Sequence, residues 1–141
     1  EVIAVRLAEA WQQALAANTT PKDRLRALIA AQLRQIEATP ALPAILHSRE
    51  INVDNVILRE RFRGLMMQYQ AHLVANLEGM IADGSMTPDV RPQDAAVLLT
   101  SLVQGIAIRW SLGSRGFALQ PEGLRLLDVQ LALFAYGERQ R

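Results

Sequence analysis

Side chains that could perform catalytic or metal chemistry are few and scattered along this chain. There are only two histidines, His47 and His72, and no Glu-x-x-His pair of the kind that a helical di-iron carboxylate site requires. His47 and Glu50 lie one helical turn apart, which suits a metal, but no third ligand is evident. The absence of cysteine excludes a thiolate zinc site and a cysteine nucleophile. We therefore expect no metal site.

Patterns for nucleophilic catalysis or phosphate binding are also missing. Ser85, Ser101 and Ser111 have no evident base partner, and no Gly-x-Ser-x-Gly motif occurs. The glycines stand singly at helix ends or inside helices, not in a loop that cradles a phosphate. The sequence thus predicts neither an enzyme nor a cofactor.

Uncharged polar residues interrupt apolar helical stripes, and this favours a binding role. Gln32, Asn55, Asn76 and Gln104 all occupy such positions. A buried amide without a partner costs roughly 1–3 kcal/mol, so each must meet a polar group, a water or a ligand. For any single residue, a satisfied interior amide or a stripe edge that reaches solvent is an equal alternative. Together they favour a mostly apolar pocket with a few polar groups. The predicted pocket residues, taken from the inward faces of three helices, are Gln32, Ile36, Phe62, Met66, Tyr69 and Gln104.

The elements that must position these residues are all helical. Nearly every segment has helical periodicity, none shows a convincing period of two, and glycine and proline mark the boundaries. The predicted fold is an all-α bundle of six helices. Their approximate bounds are Val2–Ala17, Pro21 to just before Pro40, Pro40–His47, Val53–Ala82, Pro92–Leu112 and Pro121–Tyr136. Thr20 is the predicted N-cap of the second helix, and Gly84 the predicted left-handed C-cap of the fourth.

The last two predicted helices are apolar on two sides. One side of the fifth helix carries Ala95, Leu99, Leu102, Val103, Ile106 and Trp110, and the other carries Val97, Thr100, Gln104, Ala107, Ile108 and Ser111. On the sixth, one ridge is Leu124, Leu127, Leu131 and Phe134, and the other is Leu126, Val129, Leu133 and Tyr136. A helix that is apolar all round must be buried all round. Two such helices cannot both be central in a short chain, so we expect a dimer with a four-helix interface. A single bundle with one central helix is the alternative.

Composition limits the remaining classes of function. The 141 residues fit one domain, and 15 Lys and Arg against 14 Asp and Glu exclude a strongly basic nucleic-acid clamp. No secretory signal is visible, and the uncharged stretch Ala95–Ile108 is shorter than the about 20 residues that span a bilayer. We expect a soluble, cytoplasmic protein without a membrane partner.

Five short segments, together with the order of the predicted helices, form a recognisable pattern. They are Pro92-Gln93-Asp94-Ala95-Ala96 leading into Gln104-Gly105-Ile106-Ala107-Ile108-Arg109-Trp110, Gly116-Phe117, Glu122-Gly123-Leu124-Arg125-Leu126-Leu127, and Thr39-Pro40-Ala41-Leu42-Pro43-Ala44-Ile45-Leu46. This pattern resembles the C-terminal regulatory domain of tetracycline-repressor (TetR) family regulators, and the likeness spans essentially the whole chain.

The resemblance implies a mechanism that periodicity alone does not. Such proteins are homodimers through their last two helices. A small apolar or amphipathic effector binds inside the helical domain and shifts two N-terminal helix-turn-helix heads, which releases operator DNA. No counterpart of that head occurs here, so operator DNA is a partner only through a missing N-terminal domain. Residues 1–141 are then one effector-binding and dimerisation domain, with the helix in 1–18 as the connector to the absent head.

The dimer interface and the competing functions follow from this assignment. The predicted interface residues, with the choice of apolar face left open, are Trp110, Phe117, Leu127, Leu131 and Phe134. A helical scaffold or adaptor would instead use the same second faces as a groove for a partner's amphipathic helix. A small helical enzyme is the weakest alternative, because no acid, base or nucleophile converges.

Overall fold

Five α-helices make up the part of the chain that the structure describes. The computed structural model describes residues 2–38, 56–113 and 116–135, and the side chains within residues 6–38, 56–57, 60–113 and 116–135. The helices are α1 (Val2–Ala17), α2 (Pro21–Ala38), α3 (Val56–Ala82), α4 (Pro92–Leu112) and α5 (Leu119–Phe134). No strand occurs within these residues, which confirms the all-α class. The predicted short helix Pro40–His47, Asn55 and the His47–Glu50 pair lie outside the described residues.

Local side-chain chemistry sets the helix boundaries. At the start of α2 the amide of Asp23 donates to Thr20 Oγ1 over 3.1 Å, which confirms the predicted N-cap. Pro92 occupies the first turn of α4, where its missing amide hydrogen is not needed. Beyond α3, Gly84 has a φ of 87°, a left-handed conformation that favours glycine, as predicted for this C-cap.

The central helix of the bundle is α2. It contacts all four other described helices. Leu25, Leu28 and Leu33 are completely buried on it, and Ile29 nearly so. Neither α4 nor α5, the two helices with two apolar sides, takes this central position. Each therefore packs one face on the core and keeps the other face at the surface of the single chain.

Helix α5 docks on α2 through close packing and satisfied polar groups. A Cβ atom on Gly123 would lie only 2.6 Å from Leu33 Cδ1, so glycine here lets the two helices approach closely. The amide of Leu119 donates to Glu37 Oε2 over 3.0 Å. Asp128 accepts two hydrogen bonds of 3.0 Å from the guanidinium of Arg26. These contacts fix the rotation of α5, and hence which of its ridges faces outwards.

The observed burial of α4 follows the predicted helical wheel. Ala95, Leu99, Val103, Ile106 and Trp110 are buried, whereas the opposite side is largely exposed. Among the described helices, α4 alone is long and apolar enough to cross a membrane by length and composition, and 33% of its most apolar window is buried inside the chain. A helix that packs one face into the core of a folded domain meets the same criteria.

Candidate functional site

Three buried polar atoms on three helices have no hydrogen-bond partner among the described residues. They are Trp11 Nε1 on α1, Gln32 Oε1 on α2 and Tyr69 Oη on α3, and we call them the buried polar cluster. Trp11 is 1% exposed and Tyr69 is 3% exposed. Their ring centroids lie 5.1 Å apart at an interplanar angle of 34°. The indole and the phenol therefore pack directly against each other.

Helix register brings Gln32 to the level of Tyr69. A Cβ on Gly79, near the end of α3, would lie 2.8 Å from Cγ of Pro21, the first residue of α2. Because α2 begins where α3 ends and the two helices pack together, they run antiparallel. At 1.5 Å per residue, Gln32 lies about 16 Å along α2 from Pro21, and Tyr69 about 15 Å back along α3 from Gly79. Both residues thus occupy the same layer of the bundle.

The buried polar cluster is electrically neutral. Burial raises the pKa of the Tyr69 hydroxyl well above its ordinary range, so that the phenol keeps its proton. Apart from Tyr69, no ionisable side chain is fully buried in the part of the chain that the structure describes. The cluster offers an indole N–H donor, a phenol that donates or accepts, and an amide oxygen that accepts. These groups can form hydrogen bonds with an uncharged polar group of a ligand.

The other residues predicted for the effector site have different surroundings. Ile36, Phe62 and Met66 are half-buried. Gln104 is exposed on the outer side of α4, away from the cluster, because its side of the helix faces away from the core. Asn76 is buried, and its amide nitrogen donates to the His72 carbonyl oxygen over 2.8 Å, so its donor is satisfied within its own helix.

Trp11 is the member of the cluster that sequence reasoning missed as a site residue. It occupies the apolar stripe of the first helix, where an indole is ordinary core. Nothing in the helical periodicity indicates that its N–H lacks a partner, because a partner depends on residues from other helices. The tertiary structure is needed to find that this buried N–H has no hydrogen-bond acceptor among the described residues.

Two grooves open on the surface around α3. The α1–α3 groove has a volume of about 540 Å³ and is lined by Gln12, Leu15, Ala16, Pro21, Arg24, His72, Ala75, Asn76 and Gly79. The α3 groove has a volume of about 570 Å³ and is lined by Arg63, Met66, Met67, Gln70, Ala71, Val74, Ala75 and Glu78. Within the described ranges, no three His, Asp or Glu side chains are grouped as a metal site would require.

A second unusual region is the outer face of α4 and α5. Large apolar side chains there expose half or more of their surface, and we call them the outward apolar surface. They are Val97, Leu98, Ile108 and Leu112 on α4, with Val129 and Leu133 on α5. The two helices contact each other, and both present these residues away from the shared core. The outward apolar surface therefore lies on two helices that contact each other.

The residues predicted for the dimer interface lie on the other face. Trp110, Leu127, Leu131 and Phe134 are buried in the core of the single chain, and Phe117 is half-buried beside it. A side chain that is already buried has little surface left for a partner to cover. In the single chain, the second predicted ridge of α5, with Val129 and Leu133, is the exposed one.

Comparison with known proteins agrees with this architecture. Residues 21–135 match the family described as BetI-type transcriptional repressor, C-terminal. No curated protein and no solved structure matched the chain. The family match covers α2 to α5, which include two of the three residues of the buried polar cluster and the whole outward apolar surface. The chain therefore belongs to this family and is a ligand-sensing C-terminal regulatory domain of the TetR type.

Proposed function

We propose that this domain binds a small apolar or amphipathic effector at the buried polar cluster and forms a homodimer through the outward apolar surface. In the intact regulator, α1 connects the domain to an N-terminal helix-turn-helix head, and effector binding releases operator DNA in the cytoplasm. Release requires that the effector bind more tightly to the DNA-free arrangement than to the DNA-bound one. Residues 1–141 act as one such sensing and dimerisation domain, without catalysis.

The observation that supports effector binding is that the polar atoms of the cluster have no hydrogen-bond partner among the described residues. Each buried donor or acceptor without a partner costs about 1–3 kcal/mol, which the folded chain tolerates in the absence of ligand. A ligand that pairs with Trp11 Nε1, Tyr69 Oη and Gln32 Oε1 removes this cost on binding. Half-buried Ile36, Phe62 and Met66 supply apolar contacts for the rest of the ligand.

The effector site is tested with two probes that differ by one hydroxyl group. In the Trp110→Phe protein, Trp11 is the single remaining tryptophan and reports directly on the cluster by fluorescence. Benzyl alcohol should shift its emission saturably and bind about fivefold more tightly than toluene, because the hydroxyl gains a hydrogen bond. Equal affinities for the two compounds, or no saturable change with either, would contradict a polar ligand site at Trp11.

Tyr69→Phe tests whether the hydroxyl is unpaired in the free protein. Removing an unpaired buried hydroxyl should raise the free energy of unfolding by about 1 kcal/mol, as measured with urea. The same substitution should reduce the preference for benzyl alcohol over toluene. A loss of stability in this variant would show that Tyr69 Oη has a partner in the native state.

The observation that supports dimerisation is the outward apolar surface itself. Full burial of a Val, Leu or Ile side chain contributes about 1.5–3 kcal/mol, and six such side chains are exposed on these two helices. A two-fold axis through this surface would pair α4 and α5 with their copies in a four-helix arrangement. Such an arrangement covers the second faces of both helices at once.

The interface is tested with a matched pair of charge substitutions. Leu133 is 68% exposed on α5 and Met67 is 66% exposed on α3, so glutamate at either position leaves the core intact. Leu133→Glu should produce a monomer by sedimentation, whereas Met67→Glu should remain a dimer. A wild-type chain that is monomeric at all concentrations would contradict the homodimer and favour the adaptor function, in which the same surface binds a partner's amphipathic helix.

A further inference from the structure

The α1–α3 groove is a separate site, and we propose that it binds a small organic carboxylate with an apolar body. Its volume of about 540 Å³ falls within the range of small-molecule pockets. Its lining combines Gln12, Arg24, His72 and Asn76 with apolar residues, and none of the lining residues is acidic. This combination favours a ligand that carries a negative charge at one end.

Arg24 is held in place for this role by the turn between α1 and α2. Its Nε donates to the carbonyl oxygen of Asn18 over 2.9 Å. Asn18 is itself held, because its side-chain amide donates to Ala14 O over 2.8 Å. Neither Nη atom of Arg24 takes part in a hydrogen bond or ion pair with any other described residue. The outer edge of a fixed guanidinium therefore remains available, and its fork geometry matches a carboxylate.

The opposite wall of the groove comes from α3. There, Asn76 Nδ2 donates to the carbonyl oxygen of His72, one turn earlier in the helix. The imidazole of His72 lies edge-on to Trp11, with ring centroids 6.2 Å apart. No hydrogen bond to the imidazole is found within the described part of the chain. The groove is therefore lined by two side chains whose nitrogen atoms are available to donate to a ligand, Arg24 from α2 and His72 from α3.

The apolar part of the groove suits the body of the ligand. Leu15 and Ala16 line it from α1, Pro21 from α2, and Ala75 from α3. Gly79 lets Pro21 approach closely, which brings the start of α2 against α3 beside these apolar groups. A compact ring or short alkyl chain would contact all three helices while its carboxylate faces Arg24. Such a ligand would join α1 to α2 and α3 without entering the buried polar cluster.

The test uses benzoate and benzamide, which share a shape but differ in charge. Both are titrated into ¹⁵N-labelled protein at constant ionic strength while the Arg24 Nε–H and the Ala16, Asn76 and Gly79 amides are followed by NMR. Benzoate should shift these signals saturably and bind about tenfold more tightly than benzamide. Arg24→Gln should weaken benzoate binding about tenfold, and Arg34→Gln, an exposed arginine on the same helix, should leave it unchanged.

Three results would overturn the proposal. They are equal affinities for the two probes, the absence of saturable shifts at these signals, and benzoate shifts concentrated at the Trp11 indole instead. The comparison of probes on the wild-type protein does not depend on how Arg24→Gln folds. The result is also independent of the effector and dimer proposals, since neither the preference for benzyl alcohol over toluene nor the oligomeric mass involves Arg24.

Discussion

The two sides of this domain depart from an ideally packed single chain in opposite ways. On α1, α2 and α3, polar atoms of Trp11, Gln32 and Tyr69 are buried without a hydrogen-bond partner among the described residues. Where α4 and α5 face outwards, large apolar side chains such as Leu112 and Leu133 are exposed. On the first side, buried polar atoms have no hydrogen-bond partner among the described residues. On the second side, apolar side chains are not covered by the rest of the chain.

The contrast indicates what kind of partner each side binds. A few buried polar atoms can be paired by one small molecule, whereas a surface along two helices is covered only by another macromolecule. The interface between α2 and α5 shows that this chain satisfies polar groups where no ligand is involved. There, Gln120 Nε2 donates to Ala30 O over 2.9 Å, and Glu37 accepts the Leu119 amide.

The largest expected effect separates two neighbouring leucines of α5. Leu131 is 3% exposed and Leu133 is 68% exposed. Leu131→Ala should lower the free energy of unfolding by about 2–5 kcal/mol, because it leaves a cavity in the core. Leu133→Ala should change it by at most about 0.5 kcal/mol in urea titrations on dissociated protein. Equal losses of unfolding free energy in the two variants would mean that α5 has no outward face, which would contradict the contrast between the two sides of the domain.

A second pair of substitutions tests glycines on the two faces. Gly123→Ala places a Cβ 2.6 Å from Leu33 Cδ1, inside the core, and should cost about 1–3 kcal/mol of unfolding free energy. Gly105 on α4 has no atom within 4 Å of the position of a Cβ. Gly105→Ala should therefore stabilise the dissociated chain by about 0.5–1 kcal/mol through helix propensity. Thermal or urea unfolding of both variants checks the opposite signs.

The smallest expected effect concerns the ion pair between α2 and α5. Arg26 hydrogen-bonds to Asp128 and holds the pKa of that carboxyl below its ordinary value, with burial acting in the opposite direction. The pair is largely exposed, so Asp128→Asn should cost only about 0.2–1 kcal/mol at pH 7.

The pH dependence of this effect has a defined direction. Because the folded-state pKa of Asp128 is lower than the unfolded one, the stabilisation is present above the unfolded pKa of 3.8 and is lost as the pH falls through the folded-state pKa. The difference between the wild type and Asp128→Asn in urea titrations should therefore shrink towards pH 3. A difference that grows as the pH falls would show that Arg26 does not lower this pKa.

The presence of the described helices and most of their ends can be predicted from the local sequence. The start of α5 cannot. The sequence predicts a start at Pro121, but α5 begins at Leu119, two residues earlier. The Leu119 amide is paired with Glu37 of α2, and Glu122 N bonds to Ala118 O over 3.2 Å to complete the first turn. Proline is tolerated there because first-turn amides have no partner within the helix. A contact with another helix, invisible in a local pattern, moves this boundary.

The candidate site was predictable only in part, for a related reason. Periodicity places Gln32 and Tyr69 on inward stripes of their helices, and a buried polar atom of each has no hydrogen-bond partner in the described part of the chain. It also places Gln104 on an apolar side of α4, but that side faces outwards. A helical wheel indicates which residues share a face, and it does not indicate what that face meets. Their role in effector binding remains a prediction.

The amino-acid sequence by itself determined the all-α class, the N-cap at Thr20, the left-handed turn at Gly84 and the presence of two apolar sides on α4 and α5. These properties depend on interactions within a few residues, such as capping, backbone conformation and the 3.6-residue repeat. Only the tertiary structure decided that α2 is central, that Trp11 Nε1 has no hydrogen-bond partner within the described ranges and that Leu133 rather than Leu131 faces outwards. Those properties depend on which helices meet, and contacts between distant segments arise only when the whole chain packs together.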